Sequence, residues 1–433
     1  MDWKDIYKAR ITTVDDAIKC IKDKDNIVTT GFASTPLESL KALAEHRKDF
    51  HNVTIYNMLP MGEGECFQPE CNKHFSHLTN FVCAISRPTI WNGTGHYMPA
   101  YFKDVPFMIG HTIPCDIAII TATLPDENGY VSLGATNTYT KAAIENARIV
   151  IAELNPNQPK TFGDTLVHIS DIDHIIHVNY KLPELYPAPI DPIEEAIGRH
   201  CATLIGDGAT LQMGIGAIPD AVLAELTDKH DLGIHTEMFS DGIIKLVEAG
   251  VINGNKKSLH KGKIACTFVM GTQKLYDFID NNPMIEFHSV DYINDPYVIG
   301  KNDNMVSINS CIEVDLQGQV ASESMGTKQY SGTGGQVDFV RGSALSKGGK
   351  SIIAMRSTAA HGTISRIVPV LSPGAAVTTS RNDVDYIVTE YGIAHLKGLH
   401  LHQRAEALIS IAHPDFRDKL WQDYIHLYNI QNN

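Results

Sequence analysis

I-V-T-T-G-F, residues 27–32, is an apolar run rich in β-branched residues that ends on glycine and an aromatic ring. Upstream, Val14, Ala17, Ile18 and Ile21 repeat at helical spacing, and Asp25-Asn26 turns the chain into the run. Downstream, Thr35-Pro36 places a proline as a first helical residue, and residues 37–44 continue as a helix. Val53-Thr54-Ile55-Tyr56 then reads as a second strand. Strand, helix and strand in that order make a βαβ unit. The rhythm recurs with strands expected at residues 79–85, 115–121 and 148–154. Strands alternating with helices predict a mostly parallel sheet covered on both faces.

Tyr186-Pro187-Ala188-Pro189-Ile190-Asp191-Pro192 carries three prolines in seven residues. Proline neither continues a helix nor pairs in a central strand, so the domain linker is placed here. Two α/β domains follow, residues 1–186 and 187–433. The second repeats the rhythm: a helix over 193–204, then strands at 208–213, 264–270, 305–309, 352–355, 375–379 and 386–388. It closes with helices over 404–411 and 414–428.

The chain has 433 residues, which suits two domains. Its net charge of −14 argues against nucleic acid as a partner, and no run approaches the ~20 apolar residues of a membrane span. No secretory pattern opens the chain, and the eight cysteines are scattered, as in a reducing cytoplasm. Cys66 and Cys71 form the one close pair, with no second pair to complete a zinc site.

The chemistry centres on L-G-I-H-T-E-M-F-S-D-G, residues 232–242. Glu237 sits between an apolar strand pattern and a helix start. Its neighbours His235, Thr236 and Ser240 can hydrogen-bond. A lone Glu is usually solvated surface; two glycine loops elsewhere in the chain raise this one. Q-M-G-I-G-A-I-P, residues 212–219, follows a strand with Gln212, Met213, Gly214, Ile215 and Gly216 and precedes a helix. It reads equally as an anion cradle or as a tight βα turn. It lacks the third glycine of a dinucleotide fingerprint and the lysine of a P-loop. S-G-T-G-G-Q-V-D-F, residues 331–339, again reads as close backbone approach or as a flexible turn. P-D-E-N-G, from residue 125, is a turn. Arg341, Arg356, Arg366, Arg381 and Lys397 could meet an anion, though such residues mostly face solvent. The histidines form no metal-ligand pattern, and no G-x-S-x-G occurs, so neither a metal nor a serine hydrolase is assigned. One carboxylate and two backbone-donor loops suggest covalent carboxylate chemistry on an activated acyl group.

G-I-H-T-E-M (233–238), Q-M-G-I-G-A-I-P, S-I-N-S-C-I-E-V-D (307–315), S-G-T-G-G-Q-V-D-F, R-I-V-P (366–369), T-S-R-N-D-V-D-Y (379–386) and T-E-Y-G-I-A-H-L-K-G (389–398) occur in this order. Together they resemble the acetyl-CoA hydrolase/transferase family, the glutamate-dependent class I CoA-transferases. The likeness is nearest to its 4-hydroxybutyrate and butyryl-CoA:acetate branch and runs nearly the whole chain. It implies two CoA-transferase-type α/β domains with the active site in the cleft between them. It also implies transfer of CoA between a short-chain acyl-CoA and a carboxylic acid through a thioester on Glu237. Residues 212–216 would bind CoA, with Asn309, Gly334 and Gly335 lining the CoA or oxyanion region and Ser357 and Lys397 in the CoA channel. His96, Tyr97 and Met98 read either as acyl-pocket residues or as core. Cytoplasmic homodimers or dimers of dimers, with no cofactor beyond CoA as substrate, are implied as well. Near neutral pH the ordinary Glu pKa of about 4.3 would leave Glu237 ionised without a base. An acyl-CoA hydrolase using the same Glu, and a non-catalytic sugar-phosphate or nucleotide sensor, are the alternatives.

Overall fold

The computed structural model describes residues 2–428. The chain divides into two compact units, Met1–Tyr186 with Lys263–Ile293, and Pro187–Gly262 with Asn294–Asn433. The division at Tyr186/Pro187 falls in the proline-rich stretch. Lys263–Ile293, however, groups with the first unit and not with the sequence that flanks it. Pairing explains this: strand Ile264–Cys266 lies beside Ile285–Phe287, which lies beside Phe162–Gly163. Phe268 also stacks on Phe32 at 3.9 Å between ring centroids.

The first unit is built on a seven-stranded sheet. Its order is His174–His177, Ile149–Leu154, Ile117–Ala122, Asn26–Thr29, Val53–Tyr56, Phe75–Thr79 and Gly95–Tyr97. Every neighbouring pair is parallel. Ile117–Ala122 is buried at all its positions, as a strand covered on both faces must be. Ile27, Ile55, Ile117, Ile119 and Ile151 form the core of one face against Leu40 and Leu43 of helix Leu37–Glu45.

Three local expectations differ from the structure. Pro36 is the cap residue of helix Leu37–Glu45 and not its first helical residue. The strand expected at 79–85 is Phe75–Thr79. Its F-S-H-L-T alternates buried and half-buried, and Thr79 Oγ1, accepting the Phe81 N–H at 3.1 Å, turns the chain out of the sheet. Of the apolar run 81–85 only Val82 is buried, and none of the run pairs. Residues 375–379 are irregular apart from one bridge, Val320 to Thr379.

In the second unit the order is Gly392–His395, Tyr386–Thr389, Lys350–Ala354, Met305–Ser310, Thr210–Gln212 and Gly233–His235. All pairs are parallel except the edge hairpin Tyr386–Thr389 with Gly392–His395. Helix Pro192–Thr203 starts on a capping box: Asp191 accepts the Glu194 N–H, and the Glu194 carboxylate accepts the Asp191 N–H. Arg356 pairs with both of these acids. The helix packs on helix Ala217–Ala224 through Gly198, where a Cβ would stand 2.7 Å from the Ala221 carbonyl. Among the described residues no helix is long and apolar enough to cross a membrane.

Candidate active site

Strand Gly233–His235 delivers Glu237. It lies parallel to Thr210–Gln212, and Lys257 Nζ donates to the Ile234 carbonyl at 2.7 Å. Beyond the strand, Thr236 Oγ1 accepts the Met213 N–H at 3.3 Å and donates to the Met238 carbonyl at 2.8 Å. Met213 and Met238 complete an antiparallel bridge across this point. The turn that carries Glu237 is thus tied to the start of the 212–219 glycine loop.

Two donors meet the Glu237 carboxyl. Asn294 Nδ2 donates to Oε2 at 2.7 Å, and the Gly335 N–H donates from the end of the second glycine loop. The residue is half-buried, and its carboxyl is the enclosed end. Burial pushes its pKa up to about 7, against the pull of Asn294 and Gly335 toward the ionised form. The carboxylate expected to be fully ionised at neutral pH therefore titrates there, because desolvation outweighs its two hydrogen bonds.

Gly335 has to be glycine. A Cβ on it would stand 2.0 Å from Glu237 Oε2 and 2.4 Å from Asn294 Nδ2. Gly334 before it has φ +54°, a left-handed turn that glycine adopts without strain. Helix Gln336–Leu345 begins directly after it, so the Gly335 N–H sits at a helix start where negative charge is favoured. The same helix places Asn294. The short helix Pro296–Ile299 packs against it where Gly342 meets Ile299 and Gly300 meets Leu345. Asn294, wholly buried, precedes that short helix.

The other expected residues divide. Gln212 and Asn309 face each other from parallel neighbouring strands. Asn309 Nδ2 donates to Gln212 Oε1 at 3.1 Å, and Gln212 Nε2 to Asn309 Oδ1 at 3.4 Å. Met213 is buried beside the Glu237 turn, while Gly214 is half-buried and Ile215 and Gly216 are exposed. Gly334 and Gly335 are buried. Ser357 is held by another acid: its N–H and Oγ donate to the Glu390 carboxylate at 2.9 and 2.6 Å. Lys397 is exposed, past the edge strand Gly392–His395. Arg356 is committed to Asp191 and Glu194. His96, Tyr97 and Met98 lie on and just after the edge strand Gly95–Tyr97 of the first unit. Cys66 and Cys71 are buried free thiols that donate to the carbonyls of Leu40 and Glu65. Sequence reasoning did not find Asn294. The N-D-P it belongs to signals only the helix start, where Asp295 accepts the Tyr297 N–H at 2.7 Å.

Residues 1–185 match the acetyl-CoA hydrolase/transferase N-terminal domain, and 271–424 its C-terminal domain. The chain is 53% identical over 425 residues to the 4-hydroxybutyrate coenzyme A transferase of Clostridium kluyveri, covering 98% of this chain and 99% of that one. It is 38% identical over 435 residues to the butyryl-CoA:acetate CoA-transferase of Anaerostipes caccae, covering 98% and 97%. The solved structure of 4-hydroxybutyrate CoA-transferase from Porphyromonas gingivalis superposes with a TM-score of 0.86 at 43% identity, over 98% of this chain and all of that one. Family domains over both halves and relatives along the full length agree: the chain belongs to the acetyl-CoA hydrolase/transferase family.

Proposed function

We propose that this CoA-transferase-type enzyme moves CoA between a short-chain acyl-CoA and a carboxylic acid in two half-reactions, through a glutamyl-CoA thioester on Glu237. The substrate pair is 4-hydroxybutyrate or butyrate with acetyl-CoA or acetate, as the names of its relatives indicate. One observation carries the mechanism: a single enclosed carboxylate with two donors, Asn294 and Gly335, on it.

The ionised Glu237 oxygen attacks the acyl-CoA carbonyl, and the C–S bond breaks to release CoA thiolate and a mixed anhydride. The thiolate attacks the glutamyl carbonyl; the donor acid leaves as its carboxylate, and CoA stays on Glu237 as a thioester. The acceptor carboxylate reverses both steps and departs as its CoA ester. One activated bond is exchanged for another throughout, so neither ATP nor a cofactor other than CoA is needed. Negative charge on the glutamyl oxygen falls where Asn294 and Gly335 donate. Losing one such donor costs roughly 3 kcal/mol in well-studied enzymes. On the same reading the protein works in the cytoplasm as a homodimer or a dimer of dimers.

Release of free CoA from acetyl-CoA, measured with and without added butyrate or 4-hydroxybutyrate, tests the reading. Transfer predicts little free CoA and an acid-dependent new acyl-CoA. Rapid CoA release without any acceptor acid would make the protein a hydrolase. Full activity in Glu237→Ala would leave the site a binding site without this chemistry.

A further inference from the structure

The loop that presents Gly335 is held from below by a buried acid which the reaction as written does not use. Glu323 follows strand Val320–Ala321 and is buried. Its main-chain carbonyl accepts the N–H groups of Tyr330 and Ser331 at 2.7 and 2.9 Å, closing the hairpin between Ser324–Met325 and Lys328–Gln329. Its side chain continues the same task. Oε2 accepts from Gln329 Nε2 at 3.1 Å, and Oε1 from the hydroxyls of Thr333 at 3.3 Å and Thr378 at 3.0 Å.

These contacts bracket the glycine loop. Gln329 Nε2 also lies 3.1 Å from the Ser331 carbonyl, and Ser331 Oγ donates to the Ser322 carbonyl at 3.3 Å. On the far side, Gln336 Nε2 donates to Thr379 Oγ1 at 3.1 Å. Thr378 and Thr379, adjacent in sequence, therefore brace both sides of the loop, one through Glu323 and one through Gln336. Gly334 and Gly335 lie between these anchors. They have no side chains of their own to fix their peptide planes, so the anchors must do so. A polar network of this kind is stiff only when each member is satisfied.

We propose that Glu323 is a positioning residue for CoA transfer, acting through Thr333 to hold the Gly334–Gly335 turn so that the Gly335 N–H stays aimed at Glu237. The inference rests on the reading of Glu237 given above. A donor displaced by a fraction of an ångström still permits substrate binding but loses its value in the transition state, so the effect belongs in kcat and not in KM.

The test compares Thr333→Val, Thr333→Ser and Glu323→Gln with Glu237→Ala, measuring kcat, KM for acetyl-CoA and thermal melting. Thr333→Val, which loses only the hydroxyl, lowers kcat ~10- to 100-fold with KM within about threefold of wild type and an unchanged melting curve. Thr333→Ser, which regains the donor, restores most of kcat. A Thr333→Val kcat within about threefold of wild type, a loss carried by KM, or a Ser variant as slow as the Val variant overturns the proposal. If Thr333→Val does not fold, Glu323→Gln decides: reduced kcat with intact melting supports the clamp, and unchanged kcat overturns it. Activity retained in Glu237→Ala sinks the reading of the site itself. An inactive Glu237→Ala beside a wild-type-like Thr333→Val sinks only the clamp.

Discussion

Asn294 Nδ2 donates to Glu237 Oε2 across 2.7 Å, and this oxygen is also the atom that a side chain at residue 335 would strike first. The Glu237 carboxyl thus meets a side-chain donor and a backbone donor, and its Oε2 faces a position kept bare for close approach.

Asn294→Ala removes one of the two donors. Turnover falls ~100-fold or more, the loss usual for a single oxyanion-site donor. Asn294 also favours the ionised form of Glu237. Its loss therefore moves the acid limb of the kcat/KM–pH profile upward from about 7. Kinetics of the variant across pH check both effects; an acid limb that stays in place removes Asn294 from the site.

Burial raises the Glu237 pKa from its ordinary value of about 4.3 to about 7 in the folded chain. Below the unfolded value both states hold the proton, and this group costs no stability. Between the two values the unfolded chain ionises first, so wild type loses stability as pH rises, and the full cost is reached above about 7. Glu237→Gln, which cannot ionise, is therefore expected to melt above wild type at about pH 8, with a smaller gap at about pH 5. Melting curves at the two pH values decide it.

Gly335→Ala forces a methyl group to within 2.0 Å of Glu237 Oε2 unless the backbone shifts. Overpacking of this kind costs ~1–3 kcal/mol in stability. Displacing both donors at once takes activity below that of Asn294→Ala. Denaturant unfolding alongside steady-state turnover separates the two effects.

Asn309→Ala breaks the reciprocal amide pair with Gln212. Neither of these hydrogen bonds involves Glu237, so if the pair binds CoA the expected effect is a higher KM for acyl-CoA with kcat changed less than in Asn294→Ala. Full kinetics with acyl-CoA as the varied substrate test this. A loss confined to kcat would move the pair from binding CoA to assisting the chemistry.

Much of this was legible in the residues. Glu237 is raised above an ordinary surface acid only by the two glycine loops, and the loop of Gly335 reads equally as close backbone approach or as a flexible turn; the structure brings Gly335 against Glu237. The parallel sheets follow from runs such as Ile117–Ala122, whose unbroken burial leaves no polar face. The failures have one cause: contacts set by packing and not by local pattern. The apolar run after Thr79 resembled a strand better than F-S-H-L-T does, yet the strand is Phe75–Thr79. Asn294 reaches Glu237 only because Gly300 and Gly342 let two helices meet closely. Ser357 lies against Glu390 because the parallel strands Lys350–Ala354 and Tyr386–Thr389 end side by side, a neighbour relation that local spacing does not reveal.

The central claim is that CoA is carried on Glu237. The direct measurement is to incubate the protein with acyl-CoA in the absence of acceptor acid, reduce with borohydride, digest, and compare peptides by mass spectrometry. The account predicts that the peptide containing Glu237 changes, its side chain reduced to the alcohol, and that this change disappears when acceptor acid is added before the borohydride. An unmodified Glu237 peptide from protein that is turning over, or a modification on any other peptide, would contradict it.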